Sequence, residues 1–274
     1  MRVLISADME GITGVTCPDD VTYGTARWES ARHLMMSDIN AAVDGFFEAG
    51  ATEVVVNDAH SNKRNLILAD LDSRATAIIG THKEYGMMEG IVECDAVAFL
   101  GYHTGAGRQG VLAHTYTGQT IHDVKVNGEH ANEGRMNCLL SAEFGIPVVL
   151  VTGDDLTCEE SRSWAPHAER VAVKDCIDRY TARCFTPART AAMIKTAAFR
   201  SLGSLESVPL PQGPFTYEVV FDAAHQVIAC TAIPGVVRTG ATSVRFTMPT
   251  MFEAIRCFKA VSVVAHAAIE PDYG

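Results

Sequence analysis

The chain has 274 residues, of which 47% are hydrophobic and 20% charged, enough for one large globule or for a domain with a smaller companion. A formal net charge of −11 and a pI near 5.3 argue against nucleic acid and against anionic membrane surfaces, which both select basic faces. The eight cysteines are scattered with no C-x-x-C pair, which suits reduced core residues of a cytosolic protein better than a disulfide framework. The N-terminal apolar run is cut by Asp8 and is too short for a signal peptide. Arg256, Lys259 and His266 interrupt the apolar stretch 254–269, so it reads as a buried helix rather than a membrane span. The expected location is the cytoplasm.

Four apolar runs, continuous rather than alternating, read as strands covered on both faces. Residues 2–8 end in Asp8, followed by Glu10 and Gly11. Residues 52–58 stop at Ala59 and His60, residues 95–102 at His103, and residues 147–153 at Asp154 and Asp155. Between the first two, Ala31, Leu34, Met35, Ile39, Ala42, Val43, Phe46 and Phe47 recur at helical spacing, predicting a helix over 28–49 closed by Gly50. Strand, helix and strand in succession make a parallel βαβ unit. A short helical stretch at 66–71, a strand at 75–80 and a helix around 85–92 precede the third run. Residues 104–128 are glycine-rich, with an antiparallel excursion at 119–126 and a turn at Asn127-Gly128. A helix from about 129 to 144 places Glu133 near its first turn. Beyond it, a strand at 170–174 and a helix from Thr186-Pro187 to about Leu202 are expected.

Pro209, Pro211, Gly213 and Pro214 mark a linker at 205–214. Strands at 217–222, 225–231 and 242–247 and a helix from about Met251 follow. The predicted fold class is α/β: a three-layer α/β/α arrangement with a mainly parallel central sheet, plus a C-terminal α+β portion. The expected division is a metal-binding catalytic domain over 1–204 and the C-terminal portion over 205–274, either separate or packed into one globule.

Ligands of open α/β sheets bind beyond the carboxyl ends of the strands. Asp8, Glu10, His60, His103 and Glu133 are therefore candidate metal ligands. Imidazole and carboxylate suit zinc, manganese or iron(II), and the lack of a cysteine donor favours an exchangeable catalytic site. Five donors exceed what one catalytic zinc takes, so two ions fit the set, with a carboxylate such as Asp8 able to bridge them. The three carboxylates nearly neutralise two divalent cations, and one bound hydroxide, a nucleophile near neutral pH, balances the remainder. His114, in the glycine-rich loop, is a candidate proton shuttle or stabiliser of a tetrahedral intermediate. Asp58 is a candidate to orient a ligand imidazole.

Blander readings compete. Taken alone, Glu10 is a solvated carboxylate and Glu133 a complement to a helix N-terminus. Asp154 and Asp155 read as turn or cap residues. His33, His82, His122, His130, His167, His225 and His266 read as ordinary surface or core histidines. No P-loop and no G-x-S-x-G elbow is present.

Ser6-Ala-Asp-Met-Glu-Gly11 resembles the S-x-D-x-E-G signature of the zinc-dependent D-aminopeptidase family of the DppA type. The likeness continues through Val56–His60, Phe99–His103, Gly110–His114, Asn127–Asn137, Val151–Asp155, Pro234-Gly235 and Thr239–Phe246. The resemblance implies two zinc ions per subunit held by Asp8, Glu10, His60, His103 and Glu133, with Asp8 shared and His114 catalytic. It also implies a homodecamer whose active sites face an internal channel. The segment between His114 and Asn127 fits the family pattern less cleanly. The expected function is release of N-terminal D-residues from short peptides such as D-Ala-D-Ala, by metal-bound hydroxide assisted by His114. The alternatives are a metal-dependent amidase acting on another small amide and a peptide-binding component of an uptake system.

Overall fold

In a computed structural model that describes residues 1–203 and 205–269, the chain runs as follows. Strand β1 (Arg2–Ala7) leads through a short helix α1 (Pro18–Val21) to α2 (Ala26–Glu48), then to β2 (Glu53–Asp58), β3 (Thr76–Ile78) and β4 (Ala96–Leu100). The hairpin of β5 (Ile121–Val126) and β6 (Glu129–His130) precedes α3 (Glu133–Glu143), β7 (Val148–Asp154), α4 (Asp155–Ser161), β8 (Glu169–Asp178), β9 (Thr181–Cys184) and α5 (Pro187–Ser201). The remainder comprises β10 (Phe215–Phe221), α6 (Ala224–Cys230), β11 (Val237–Arg238), β12 (Ser243–Met248) and α7 (Met251–Ala267).

The main sheet has seven strands in the order β3-β2-β1-β4-β7-β8-β9, parallel except for β9. Its central strands read as unbroken apolar runs because each contributes to two cores. In β1, Leu4 packs into one core while Val3, Ile5 and Ala7 pack into the other; in β4, Val97 and Phe99 oppose Ala96, Ala98 and Leu100. Helices α2 and α5 cover one face. The other face is covered by α3, α6, α7 and a second sheet. That sheet is antiparallel, in the order β11-β12-β10-β5-β6, so it draws two strands from before residue 205. The α/β/α layering and the antiparallel excursion both match the sequence reading. No helix among the described residues is long and apolar enough to cross a membrane.

Local signals explain most boundaries. The Thr25 hydroxyl caps α2 by accepting from the Trp28 amide at 3.0 Å. Asn127 and Gly128 both have positive φ, 51° and 82°, and form the two-residue turn of the β5–β6 hairpin.

Three elements differ from expectation. Where a strand over 225–231 was expected, Ala224–Cys230 form helix α6. Val227 and Cys230, three apart, are buried and Ile228 is 66% exposed, which is helical spacing. Gln226 secures the start, its side-chain oxygen accepting from the Ala223 amide at 3.0 Å. The helix expected around 85–92 is two 3-10 turns, separated at Gly90, whose φ is +94°. The helix expected from 129 starts at Glu133, because Glu129 and His130 pair with β5 and Asn132 supplies the cap.

Candidate metal centre

The strand order places the site. β1 lies between β2 and β4, with Ala7 level with Asp58 on one side and with Leu100 on the other. Side chains just past these three ends therefore converge: Asp8 and Glu10 after β1, His60 after β2, His103 after β4. The approach is close. The Asp8 amide donates to the Leu100 carbonyl and the Gly11 amide to the Gly101 carbonyl, each at 2.8 Å. A Cβ on Gly11 would lie 2.0 Å from the Tyr102 carbonyl oxygen, so only glycine fits where these two chains cross. Glu133 enters from the first turn of α3, and His114 from the long loop after β4. All six side chains line one cavity of about 650 Å³.

Asp8 stands at the centre. Its Oδ1 is 3.2 Å from His60 Nδ1, which is also 3.2 Å from Glu10 Oε2. Its Oδ2 is 3.6 Å from His103 Nε2, which is also 3.6 Å from Glu133 Oε1. The His103 and His114 rings stack at 4.3 Å. Ring nitrogens of these two histidines and an oxygen of Glu133 lie within 4.8 Å of one another, so His114 is within reach of the donor set.

Each imidazole is anchored by a backbone carbonyl. His60 Nε2 donates to Val21 O at 3.0 Å, His103 Nδ1 to Thr104 O at 2.9 Å, and His114 Nδ1 to Leu112 O at 2.8 Å. A carbonyl only accepts, so each contact makes that ring nitrogen the donor and leaves the other nitrogen for the cavity. Asp58 does not orient an imidazole. Its carboxylate instead accepts from the Asn65 side chain at 2.8 Å and the Leu66 amide at 3.1 Å, and Asn65 in turn donates to the His60 carbonyl at 2.8 Å. It thus shapes the loop that carries His60.

The cluster fits divalent cations. Asp8 Oδ2 and His103 Nε2 are buried with no hydrogen-bond partner among the described residues, and such orphan atoms are costly without a ligand. A tetrahedral ion with ligands at about 2.0–2.2 Å spaces its donor atoms roughly 3.3–3.6 Å apart. The observed separations of 3.2 and 3.6 Å bracket that spacing. The local field also attracts positive charge. Burial opposes charge on His60, yet Glu10 and Asp8 outweigh it and hold its pKa well above the usual range. Burial likewise opposes charge on His103, but Glu133, Glu10 and Asp8 raise its pKa to about 9. Burial works against an ionised Glu10, and His60 reverses that, holding the carboxyl well below the usual carboxylate range.

Other residues hold the donors in place. Lys174 is fully buried and donates to the carbonyls of Glu10, Ile12 and Val15 at 2.6, 3.0 and 2.6 Å. These three bonds tie down the loop that carries Glu10, and burial lowers the Lys174 pKa to about 8. The Tyr116 amide donates to Glu133 Oε1 at 2.8 Å. Leu112 and Tyr116, either side of His114, have φ of 54° and 59°, a disfavoured conformation for bulky residues and one that concentrates at functional sites. Asp154 caps α4 through the Thr157 amide at 2.7 Å, as its place in sequence suggests, and also accepts from the Val111 amide at 2.7 Å, anchoring the His114 loop.

The sequence reading gave no site role to Lys63, His82, Lys83 and Lys259, which also line the cavity. No local signal marks them, because they arrive from two loops and a helix face. His33 and His130 are paired with Asp70 and Asp123 at 3.1 and 2.9 Å, away from the cluster.

The molecule is thus an α/β protein with a buried cluster of carboxylate and imidazole donors at the carboxyl edge of its parallel sheet. It belongs to the D-aminopeptidase family, whose sequence profile matches residues 1–260, and is therefore a peptidase, a hydrolase of peptide bonds. A curated D-aminopeptidase of Bacillus subtilis (strain 168) is 31% identical over 280 residues, covering all of both chains. The solved structure of the Zn-dependent D-aminopeptidase DppA from Bacillus subtilis, described as a self-compartmentalizing protease, superposes with a TM-score of 0.93 at 30% identity, covering 97% of this chain and 98% of that one.

Proposed function

We propose that this chain is a zinc-dependent aminopeptidase that removes N-terminal D-residues from short peptides such as D-Ala-D-Ala. The similar protein of known structure is described as zinc-dependent, and the donor types here suit that metal. The reading rests most on Asp8, whose two oxygens face two different imidazoles. Asp8, Glu10 and His60 would hold one ion and Asp8, His103 and Glu133 the second, giving two per subunit. Zinc bound there supplies Lewis acidity, polarising the scissile carbonyl and acidifying water near neutral pH.

The remaining chemistry falls to the chain. His114, with Nδ1 committed to Leu112, keeps Nε2 available to hold a proton during attack and to deliver it to the leaving amine. The carbonyl anchors on all three histidines keep the rings from turning as charge develops. Burial of Asp8, Glu10 and His103 excludes bulk water from the reacting atoms.

A homo-oligomer, a decamer by resemblance, and a cytoplasmic location complete the proposal; the similar structure's description as self-compartmentalizing supports the assembly. The test uses metal-free protein titrated with zinc and supplied with D-Ala-D-Ala and, separately, L-Ala-L-Ala. Zinc-dependent cleavage of the D-peptide alone, saturating near two ions per chain, is the expected result. Zinc uptake without cleavage of either peptide would transfer the site to an amidase acting on another small amide.

A further inference from the structure

The cavity has a charge pattern along its depth. Asp8, Glu10 and Glu133 are buried at its floor, while Lys63, from the loop after β2, is partly buried in its wall and Lys259, on α7, is exposed on its rim. A third lysine, Lys83, is fully engaged: its Nζ donates to Asn57 Oδ1, Asp58 O and Ile78 O at 2.7, 2.8 and 2.9 Å. Lys63 is not. Its Nζ donates to the Ala59 carbonyl, which leaves two N–H groups unused. Lys259 has no hydrogen-bond or ion-pair partner among the described residues.

Lys63 and Lys259 line the same cavity, and like charges held in one cavity repel each other. An anion held by both would relieve the repulsion through charge-assisted hydrogen bonds. The loop that carries Lys63 is itself in a disfavoured conformation, with φ of 43° at Ser61 and 59° at Lys63, fixed by the Lys63 amide donating to the His60 carbonyl at 2.8 Å.

We propose that Lys63 and Lys259 receive the C-terminal carboxylate of the peptide whose N-terminal bond is cleaved at the donor cluster. This rests on the aminopeptidase reading and adds to it a requirement for a free C-terminal carboxylate.

The test compares D-Ala-D-Ala with its C-terminal amide in the zinc-loaded enzyme. The amide keeps the scissile bond and removes the anion. The wild type is expected to favour the free acid by about ten- to a hundredfold in kcat/KM, mostly through KM. In Lys259→Met this acid-to-amide ratio should fall about tenfold, and Lys259→Arg should restore most of it; Lys63→Met should lower the ratio further. Lys259 is on an exposed helix face, so its replacement leaves the core intact. Equal cleavage of acid and amide by the wild type overturns the carboxylate assignment and leaves the aminopeptidase standing. So does a Lys259→Met enzyme that loses activity on both by the same factor. Failure to cleave either substrate overturns the aminopeptidase reading and the carboxylate assignment with it.

Discussion

Asp8 Oδ2 and His103 Nε2 face each other across 3.6 Å, both buried and neither with a hydrogen-bond partner among the described residues. The gap is too long for a hydrogen bond and has the spacing of two atoms that share an ion. The other oxygen of Asp8 faces His60 Nδ1 at 3.2 Å, within hydrogen-bond distance. One carboxylate thus ties together two halves of a donor cluster whose parts come from three strands and a helix.

Asp8→Asn tests that role. The amide keeps the shape but removes the charge and offers N–H donors where lone pairs are needed. The zinc content after dialysis should fall below one ion per chain, and D-peptide hydrolysis should drop by at least about a hundredfold, the upper end seen for merely supporting residues around a metal. Retention of two ions by the variant would show that Asp8 is not shared.

His114→Ala separates catalysis from metal binding. The stacked ring lies beside His103, and its anchor is the strained Leu112 backbone rather than a carboxylate. Turnover should fall by about 10²–10⁴-fold, the usual worth of a positioned general acid or base, while zinc content stays at the wild-type value. Loss of an ion in this variant would instead make His114 a ligand, which its distance to the donor set also permits.

Asp38 gives the fold a pH dependence of its own. It is fully buried beside α5 and accepts from the Thr13 amide at 3.0 Å and the Thr13 hydroxyl at 2.9 Å. Burial raises its pKa to about 6; the Thr13 hydrogen bonds and Lys174 oppose the rise without cancelling it. Below about pH 4 both the folded and unfolded chains hold the proton, so the group has no effect. Between about pH 4 and 6 the unfolded chain releases it first, and stability falls by about 3 kcal/mol as pH rises, then stays level above 6. Asp38→Asn should remove that component, since the Thr13 hydroxyl can accept from the new amide while donating to Thr190 Oγ1. Urea denaturation of the chelator-treated wild type and variant across pH 4 to 7 reads the difference. Parallel curves would dismiss the assignment.

Local pattern carried much of the architecture. Buried parallel strands announce themselves as unbroken apolar runs, so the ends of β1, β2, β4 and β7, and with them Asp8, His60, His103 and Asp154, were legible before any tertiary contact was known. Helix α2, with its apolar spacing and closing glycine, and the Asn127-Gly128 turn were legible for the same reason: propensity, helix ends and turn chemistry act over a few residues. Helix α6 was not, because a seven-residue segment with two adjacent apolar residues satisfies strand and helix periodicity alike, and its packing against α7 and β12 decides.

The amino-acid sequence by itself determined which residue types stand at the strand ends, and thereby the chemistry on offer: imidazoles, carboxylates and no thiol. Only the tertiary structure decided which atoms meet. The placement of β1 between β2 and β4 sets Asp8 against two histidines that lie 52 and 95 residues away. A lysine in the middle of strand β8, Lys174, becomes the anchor of the Glu10 loop because burial demands three acceptors for its three donors. Lys63 and Lys259 share a cavity although nothing near either in the chain refers to the other. Such pairings depend on strand order and layer packing, which are set by the whole core and leave no local trace.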